Sequence, residues 1–354
     1  FIIHPSGKYF SYIDFRTLSL LFCLMSIVAG LSEIGLFDYL AEKILSRANS
    51  IKSIIVLLVL LCFFFSMIIT NDVALITFVP FAIIILKKIV RKAKELLDFK
   101  NVVMQTIAAN LGSMLTPIGN PQNLYLYARA NMSALALIRL MLPYSIAALV
   151  LLLVWIQIAA HREPGSPPEY ISELFSIHKT KAPNQTSLIG YLILFLICLL
   201  VVAHIIDYRI SFILVIGYIF FKNWHLFKKV DYSLLLTFTA LFIFIGNLKC
   251  IPQFNHFLIS IIDGHETLTA ILSSQIISNV PAAILLSGFT KNYSALIIGT
   301  NIGGLGTLIA SMASLISFKY IAKEKTTLRG KYFMMFTIAN IVFLILLLLC
   351  INLL

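Results

Sequence analysis

The chain has 354 residues, of which 60% are hydrophobic and only 12% are charged, and its mean hydropathy is +0.97. Soluble domains of this size do not have such a composition, which predicts an all-α integral membrane protein that crosses the cell membrane several times. Its 27 Lys and Arg against 15 Asp and Glu give a net charge of +12. We assign this excess to basic cytoplasmic loops rather than to nucleic-acid binding.

Apolar segments divide the chain into stretches near the roughly 20 residues that a helix needs to cross a bilayer. Complete spans are predicted near 17–36, 133–160, 188–206, 209–222, 232–249 and 333–353. Polar tips interrupt two further segments, at 54–86 and 266–288, and their arms of about 10–16 residues are mostly too short to cross. Such arms predict re-entrant hairpins, which enter and leave the membrane on one side.

Residues 101–127 and 295–318 are apolar stretches that one continuous helix cannot follow. The first contains Pro117 and Pro121, each of which removes a backbone donor and clashes with the preceding turn. Backbone groups freed in hydrocarbon must be satisfied by protein or water. The stretch therefore predicts a broken helix at a buried polar site, as in transporters. A kinked helix or a loop is the alternative for one stretch taken alone.

The second half of the chain repeats the first. Without a gap, Asn301, Gly303 and Thr307 match Asn110, Gly112 and Thr116. Apolar stripes on short interfacial helices, at 37–47 and 254–262, precede the hairpin and the broken stretch in each half. The predicted organisation is a first scaffold helix with its interfacial arm at 1–53, a first transport-domain half at 54–160, a cytoplasmic linker at 161–187, second scaffold helices with their arm at 188–265, and a second transport-domain half at 266–354.

The basic residues predict how the two halves are oriented. If the loops at 37–53, 87–100, 161–187, 222–231 and 319–332 are cytoplasmic, that side holds 20 of the 27 Lys and Arg, as the positive-inside rule requires. The first hairpin then opens to the cytoplasm and the second to the outside, so the repeats are inverted, as in many secondary transporters. Binding of anionic lipid is the alternative for the run at 87–100.

Helix ends at the tips and breaks offer free N–H groups to anions and free carbonyls to cations. Ser, Thr and Asn add oxygens and amides without net charge, which suits an anionic substrate beside Na⁺. The substrate-binding candidates are Thr70, Asn71, Asp72, Thr116, Pro117, Asn120, Ser278, Asn279 and Thr307. Hydrogen bonding between helices is the alternative role for any single hydroxyl group.

Asp72 is the only acidic residue that the sequence places deep in a hairpin. Acids within a membrane usually bind cations or carry protons, and the alternative here is a cap on the second hairpin arm. The matching position of the other tip is Val280, and neutral oxygens suffice for cation sites, so we expect Na⁺ to drive transport and Asp72 to tune it. The HExxH and phosphate-loop motifs are absent, which predicts a protein that is not an enzyme and has no cofactor.

At these residues the chain resembles the divalent anion/Na⁺ symporter family, whose superfamily includes citrate carriers, arsenite exporters and one group of Na⁺/H⁺ antiporters. The resemblance covers almost the whole chain from residue 14. The family's Ser-Asn-Thr tip triplets correspond to residues 70–72 and 278–280, which depart at the third position, a residue that helps to hold carboxylates there. Residues 116–123 match the family motif Thr-(Leu/Pro)-Ile-Gly-x-Pro-x-Asn. The resemblance implies one Na⁺ site at Ser66, Thr70, Asn71 and Gly119, and a second at Ser274, Asn279 and Asn301.

The resemblance also implies an elevator movement of the transport domain, a homodimer, and helices that precede the span at 17–36. We therefore expect a secondary active transporter of a small anion, such as a di- or tricarboxylate, coupled to Na⁺. Within the superfamily the alternatives are H⁺-coupled export of arsenite or another anion, and Na⁺/H⁺ exchange. From another class, an anion channel would need a continuous pore, which two hairpins closing one midplane site disfavour.

Overall fold

A computed structural model describes residues 7–48, 50–89, 95–160, 182–324 and 329–351, and within these ranges the regular elements are all helical. The helices are α1 (Tyr9–Tyr12), α2 (Phe15–Glu33), α3 (Leu36–Leu45), α4 (Ile51–Ile69), α5 (Asn71–Ile89), α6 (Glu95–Gly112), α7 (Pro121–Ala130), α8 (Ala134–Ala160), α9 (Gln185–Val202), α10 (Tyr208–Asn223), α11 (Tyr232–Lys249), α12 (Pro252–Ile262), α13 (Glu266–Ile277), α14 (Asn279–Leu286), α15 (Tyr293–Ile302), α16 (Met312–Glu324) and α17 (Arg329–Ile351). Short 3-10 turns follow α6 at Ser113–Leu115 and α10 at Trp224–Lys229.

Seven helical segments within the described ranges are long and apolar enough to cross a bilayer. They are Phe15–Glu33, Ile51–Ile69, Ala134–Ile158, Gln185–Val202, Tyr208–Lys229, Tyr232–Lys249 and Arg329–Cys350. Six of them coincide with the complete spans predicted from the sequence, and together they confirm a multi-pass helical membrane protein. Most of the predicted linker at 161–187 lies outside the described residues, as does the middle of the basic run at 87–100.

The first hairpin consists of α4 and α5, and the chain reverses at Thr70. Phe65 and Phe78, on opposite arms, have ring centroids 5.2 Å apart. Each arm has 19 residues and therefore spans about 28 Å at 1.5 Å per residue. The prediction of arms too short to cross is wrong for α4, which begins at Ile51, where the Ser50 hydroxyl accepts the Ser53 N–H, and which is long and apolar enough to cross. It holds for α5, whose apolar part among the described residues, Asn71–Ile85, is shorter than a span.

The second hairpin consists of α13 and α14, and the chain reverses at Ser278. Its arms have 12 and 8 residues, and this confirms the prediction of short arms. At 1.5 Å per residue, neither arm reaches the roughly 30 Å thickness of the hydrocarbon core. Arms of this length cannot carry the tip of the hairpin across the hydrocarbon core.

Both predicted broken helices are interrupted in the structure. Helix α6 ends at Gly112 and α7 begins with Pro121, where proline is favoured because the first helical N–H has no partner within the helix. In the second half, α15 ends at Ile302 and α16 begins at Met312. The two interruptions bring irregular backbone into the interior, and the hairpin tips lie against them.

The two short helices that carry the apolar stripes are packed differently. Along α3, Phe37, Ala41 and Leu45 are buried. Along α12, only Ile262 is buried, while Phe257 remains 58% exposed. The first stripe therefore packs against protein, and the second presents most of its apolar face outward, as an interfacial helix would.

Candidate functional site

Both hairpin tips have the same unusual backbone. Thr70 has φ 74° and ψ 152°, and Ser278 has φ 72° and ψ 153°. Residues other than glycine avoid this region at a free-energy cost of about 1–3 kcal/mol each. The surrounding contacts must hold both tips in place, and such retained strain is typical of functional sites.

At the first tip, Asn71 connects the hairpin to the first broken helix. Its backbone N–H donates to the Gly119 carbonyl at 3.2 Å, and its Nδ2 donates to the Asn110 Oδ1 at 3.0 Å. Its own Oδ1 accepts the N–H of Asp72 at 2.9 Å. Three predicted site residues, Asn71, Asp72 and Gly119, are thus adjacent, and Asn71 is almost fully buried.

The second tip repeats the backbone contact. The N–H of Asn279 donates to the carbonyl of Ala310 at 2.9 Å, and Ala310 lies nine residues after Asn301, as Gly119 lies nine residues after Asn110. The Ser278 hydroxyl reaches the same carbonyl at 3.4 Å. The gapless match between the broken stretches therefore corresponds to one local geometry.

In each half, a threonine hydroxyl of the broken stretch donates to a backbone carbonyl of the hairpin, three residues before the tip residue. The Thr116 hydroxyl donates to the Met67 carbonyl, and the Thr307 hydroxyl donates to the Gln275 carbonyl at 3.0 Å. Thr116 is partly buried, whereas Thr307 is exposed.

Each broken helix also has a glycine where it approaches the hairpin. A Cβ on Gly112 would lie 2.7 Å from the Ser66 Oγ, and a Cβ on Gly303 would lie 2.9 Å from the Ser274 Oγ. Both serines are fully buried. The two predicted Na⁺ ligands on the hairpin arms therefore occupy equivalent places, each against a glycine.

The two broken stretches are joined crosswise by side-chain hydrogen bonds. The Asn110 Oδ1 accepts from the Ser311 hydroxyl at 3.0 Å, and its Nδ2 lies 3.5 Å from the Ser314 Oγ. Ser311 and Ser314 follow Asn301 by 10 and 13 residues. All three side chains are buried.

The reciprocal contacts are formed by Asn301. Its Oδ1 accepts from the Asn120 Nδ2 at 3.1 Å, and its Nδ2 donates to the Asn123 Oδ1 at 2.6 Å. Asn120 and Asn123 follow Asn110 by the same 10 and 13 residues. Each stretch therefore contacts the other through the same pair of positions, which is the pattern that a local two-fold axis produces.

Different side chains satisfy the free carbonyls of the two breaks. In the first, the Asn123 Nδ2 reaches the carbonyls of Ser113, Met114 and Thr116 at 3.1–3.4 Å. In the second, the Gln275 Nε2 donates to the carbonyls of Gly303 and Leu305 at 2.8 and 2.9 Å. Side chains of the protein thus satisfy backbone that has left the helix, as a membrane interior requires.

A cavity of about 430 Å³ ends at the first tip and the first break. Thr70, Asp72 and Asn120 line it, and the charged side chains Lys229, Asp231 and Lys319 line it as well. Residues of α2, including Leu21 and Val28, form an apolar wall. Three of the predicted substrate-binding residues therefore face one cavity.

The remaining predicted site residues are placed elsewhere. Ser66, Pro117, Gly119, Ser274, Asn279 and Asn301 are buried, and Ser278 is only 9% exposed. None of these, nor Thr116 or Thr307, lines the cavity. A second cavity, of about 340 Å³, is lined by Asp14, Tyr125, Arg129 and Lys249, and no tip residue lines it.

Asp72 does not cap its helix through Oδ1. That oxygen is buried and has no hydrogen-bond partner among the described residues. The capping role that the sequence left open for Asp72 is therefore not supported at that atom. The N–H of Asp72 is instead satisfied by Asn71.

Comparison with known proteins reveals a consistent similarity along the chain. A family model that describes citrate transporters matches residues 2–295. An uncharacterized transporter of Methanocaldococcus jannaschii is 35% identical over 322 residues, which cover 90% of this chain and 84% of that protein. The inner membrane protein YbiR of Escherichia coli is 31% identical over 316 residues, 87% of this chain and 80% of that protein. The P protein of Homo sapiens is 31% identical over 128 residues, 36% of this chain and 15% of that protein.

Proposed function

Because this chain is a multi-pass membrane transporter that belongs to the citrate transporter family, we propose that it moves a small anion, such as a di- or tricarboxylate, by Na⁺-coupled secondary transport. The observation that carries the proposal is the buried polar layer in which each tip meets its own break and the two breaks meet each other. Polar groups are expensive in a membrane interior, and such layers mark substrate and ion pathways.

Inverted repeats are part of this proposal. The reciprocal contacts of Asn110 and Asn301 are the kind that two copies related by a two-fold axis make. In transporters with inverted repeats, that axis lies in the membrane plane and substrate binds near it. The equivalent tips at Thr70 and Ser278 would then approach one midplane site from opposite sides.

Alternating access by an elevator movement is supported by the two cavities. The larger one reaches the first tip, whereas the smaller one, lined by Asp14 and Arg129, stops short of both tips. A molecule that is open to one side and closed to the other has this arrangement. Movement of the polar layer past α2 would exchange the two cavities.

The charge pattern supports an anionic substrate and a hard coupling cation. Lys229 and Lys319 line the larger cavity together with Asp72 and Asp231, so it offers the positive groups that attract an anion as well as the negative groups that attract a cation. The hydroxyl of Ser66 donates to the Phe63 carbonyl, so its oxygen lone pairs remain available to a cation. Na⁺ prefers such oxygen ligands, as the two sites implied at the hairpins would supply.

Uptake by the purified protein in proteoliposomes tests this function. We expect a labelled carboxylate to accumulate against its gradient when Na⁺ is higher outside, and the accumulation to collapse with a Na⁺ ionophore. Asn279→Ala protein and empty liposomes are the controls. Flux that only equilibrates the anion, with no accumulation under any ion gradient, would contradict coupled transport and indicate a channel.

Labelling of single cysteines tests the inverted orientation. Lys52 and Lys291 are both exposed and lie at the open ends of the two hairpins. A Cys250→Ser background removes the exposed native thiol. We expect Lys52→Cys to react with an impermeant reagent only from the cytoplasm and Lys291→Cys only from outside. Reaction of both from one side would overturn the inverted arrangement.

Proton-coupled export or Na⁺/H⁺ exchange is the second candidate, and Asp72 is the residue that favours it. This half-buried carboxyl lines the larger cavity, and its buried Oδ1 has no partner among the described residues, as a proton carrier in a membrane would. In the same proteoliposomes, movement that follows a pH gradient and ignores Na⁺ would assign this function instead.

A further inference from the structure

Among the residues that the structure describes, two of those that line the larger cavity have an oxygen without a hydrogen-bond partner. These oxygens are the Asp72 Oδ1 and the Asn120 Oδ1, and both atoms are buried. Asn120 as a whole is only 2% exposed. A buried polar atom that lacks a partner is destabilising by about 1–3 kcal/mol, so each oxygen requires a partner that the described residues do not supply.

The hydrogen-bond network determines which atom of Asn120 is free. The Asn301 Nδ2 donates to the Ile297 carbonyl at 2.7 Å, and a carbonyl can only accept. The Asn301 Oδ1 must therefore be the atom that faces Asn120, and Asn120 must donate its Nδ2 to it. The amide of Asn120 cannot be reversed without placing two acceptors together, so the free atom is an acceptor.

The contacts of Asn123 give the same orientation of these amide groups independently. The Asn123 Nδ2 faces three backbone carbonyls, which are all acceptors, so its Oδ1 must accept from Asn301. The chain of amides thus runs from those carbonyls through Asn123 and Asn301 to Asn120. It ends at the Asn120 Oδ1, to which no described residue donates a hydrogen bond.

Asp72 differs from the other carboxylate of this cavity. The Asp231 Oδ1 accepts the N–H of Leu234 at 3.0 Å as the N-cap of α11. The Oδ1 of Asp72 has no such bond. The hydroxyl-bearing Thr70 lines the cavity beside it, so the tip end of the cavity presents oxygens that can accept a proton or hold a cation.

We propose that Asp72 and Asn120 form a binding site for a hard inorganic cation at the tip end of this cavity, distinct from the two Na⁺ sites that the family resemblance implies. A hard cation takes carboxylate, amide and hydroxyl oxygens as ligands. A bare anion would meet two acceptors here and be repelled. The proposal rests on the proposed function only in treating this cavity as the transport site.

The cation site makes the two halves of the protein unequal. Val280 replaces the acid at the second tip, and the position of the second broken stretch that corresponds to Asn120 is Ser311, whose hydroxyl donates to Asn110. The second half therefore has neither of the two free oxygens. A single additional cation would bind at the first tip and bring positive charge to the place where the anion binds.

Thermal unfolding of the purified full chain, without any organic anion, tests the site. Chloride salts of Na⁺, K⁺, Mg²⁺ and choline are compared at equal ionic strength. We expect at least one inorganic cation to raise the Tm above choline, and Asp72→Asn to require at least about tenfold more of it. Asp72→Glu, which keeps the carboxylate, should retain the response. The control is Asp207→Asn, which removes an exposed carboxylate on a loop and should behave as the wild type.

Equal responses of the wild type and Asp72→Asn would overturn the proposal, as would a wild type that no inorganic cation stabilises. If Asp72→Asn does not fold, alkylation of Thr77→Cys, whose position lines the same cavity, decides the matter. An inorganic cation should slow that alkylation relative to choline, and no effect would overturn the site. Because no organic anion is present and chloride is common to all the salts, a cation response together with failed uptake would refute the proposed function and leave this site intact.

Discussion

The tips at Thr70 and Ser278 have the same backbone, with φ of 74° and 72°, and both are fastened to the equivalent carbonyl of a broken stretch. They differ in their side chains and their surroundings. The first has Asp72, arms of 19 residues and a cavity of about 430 Å³ beside it. The second has Val280 and arms of 12 and 8 residues. The two tips therefore share one backbone conformation, whereas their side chains make the first tip chemically different from the second.

The largest expected effect is at the glycines between hairpin and broken helix. A Cβ on Gly112 would lie 2.0 Å from the Phe63 carbonyl oxygen, and backbone cannot move aside locally. We expect Gly112→Ala to lower the free energy of unfolding by about 3 kcal/mol or more, and Gly303→Ala by about 1–3 kcal/mol. Thermal unfolding in detergent measures both.

Gly217→Ala is the matched control for these substitutions. Gly217 also lies in a helix, but no atom lies within 4 Å of where its Cβ would be. We expect no loss of stability there, since alanine favours helix more than glycine does. Equal Tm values for Gly112→Ala and Gly217→Ala would show that the close approach of α6 and α4 is not present in the folded protein.

Removal of the tip asparagines separates a structural role from a transport role. We expect both Asn71→Ala and Asn279→Ala to abolish uptake. Only Asn71→Ala should also reduce stability, by about 1–3 kcal/mol, because it leaves the Asp72 N–H and one bond of Asn110 without a partner. The only side-chain hydrogen bond of Asn279 among the described residues is with the Ser278 Oγ at 3.5 Å. Uptake and unfolding measured on the same preparations check this, and full uptake by both variants would make the tips purely structural.

Charge at the larger cavity should affect affinity for the anion more than turnover. We expect Lys319→Gln to raise the apparent KM about threefold. The increase should become smaller at higher salt, because salt screens the electrostatic attraction between this side chain and the anion. Lys331→Gln is the control, because Lys331 is exposed and does not line the cavity. A salt-independent change, or an equal change in the control, would exclude attraction of the anion by this side chain.

The smallest effect is expected at Glu33, which binds Lys229 and His225 at 2.7 Å each. These side chains are partly exposed, and ion pairs of that kind contribute about 0–1 kcal/mol. Glu33→Gln should therefore change the Tm slightly in low salt and not at all in high salt. A loss similar to that of Gly112→Ala would show that this contact fixes the fold.

The sequence was sufficient to predict the spans, the two hairpin tips and the two broken helices, because hydropathy, proline and paired asparagines are signals that can be found locally in the chain. It failed on the first arm of the first hairpin, whose length depends on the cap at Ser50. It also missed Ser311, Ser314 and Gln275, whose importance depends on contacts with distant parts of the chain. Extending the Asn110–Asn301 match by 10 and 13 residues would have found the two serines, whereas no local pattern predicts that Gln275 satisfies the second break.

The crosswise asparagine contacts have a consequence for biosynthesis. Ser311 follows Asn110 by 201 residues, and a ribosome needs about 10–40 s to add that length. During this interval the amides of Asn110, Asn120 and Asn123 lack their partners in the second half, and water or the insertion machinery must satisfy them. The polar interior of the first half of the nascent chain therefore remains hydrated and incompletely packed during this interval. It becomes complete only when the last quarter of the protein enters the membrane.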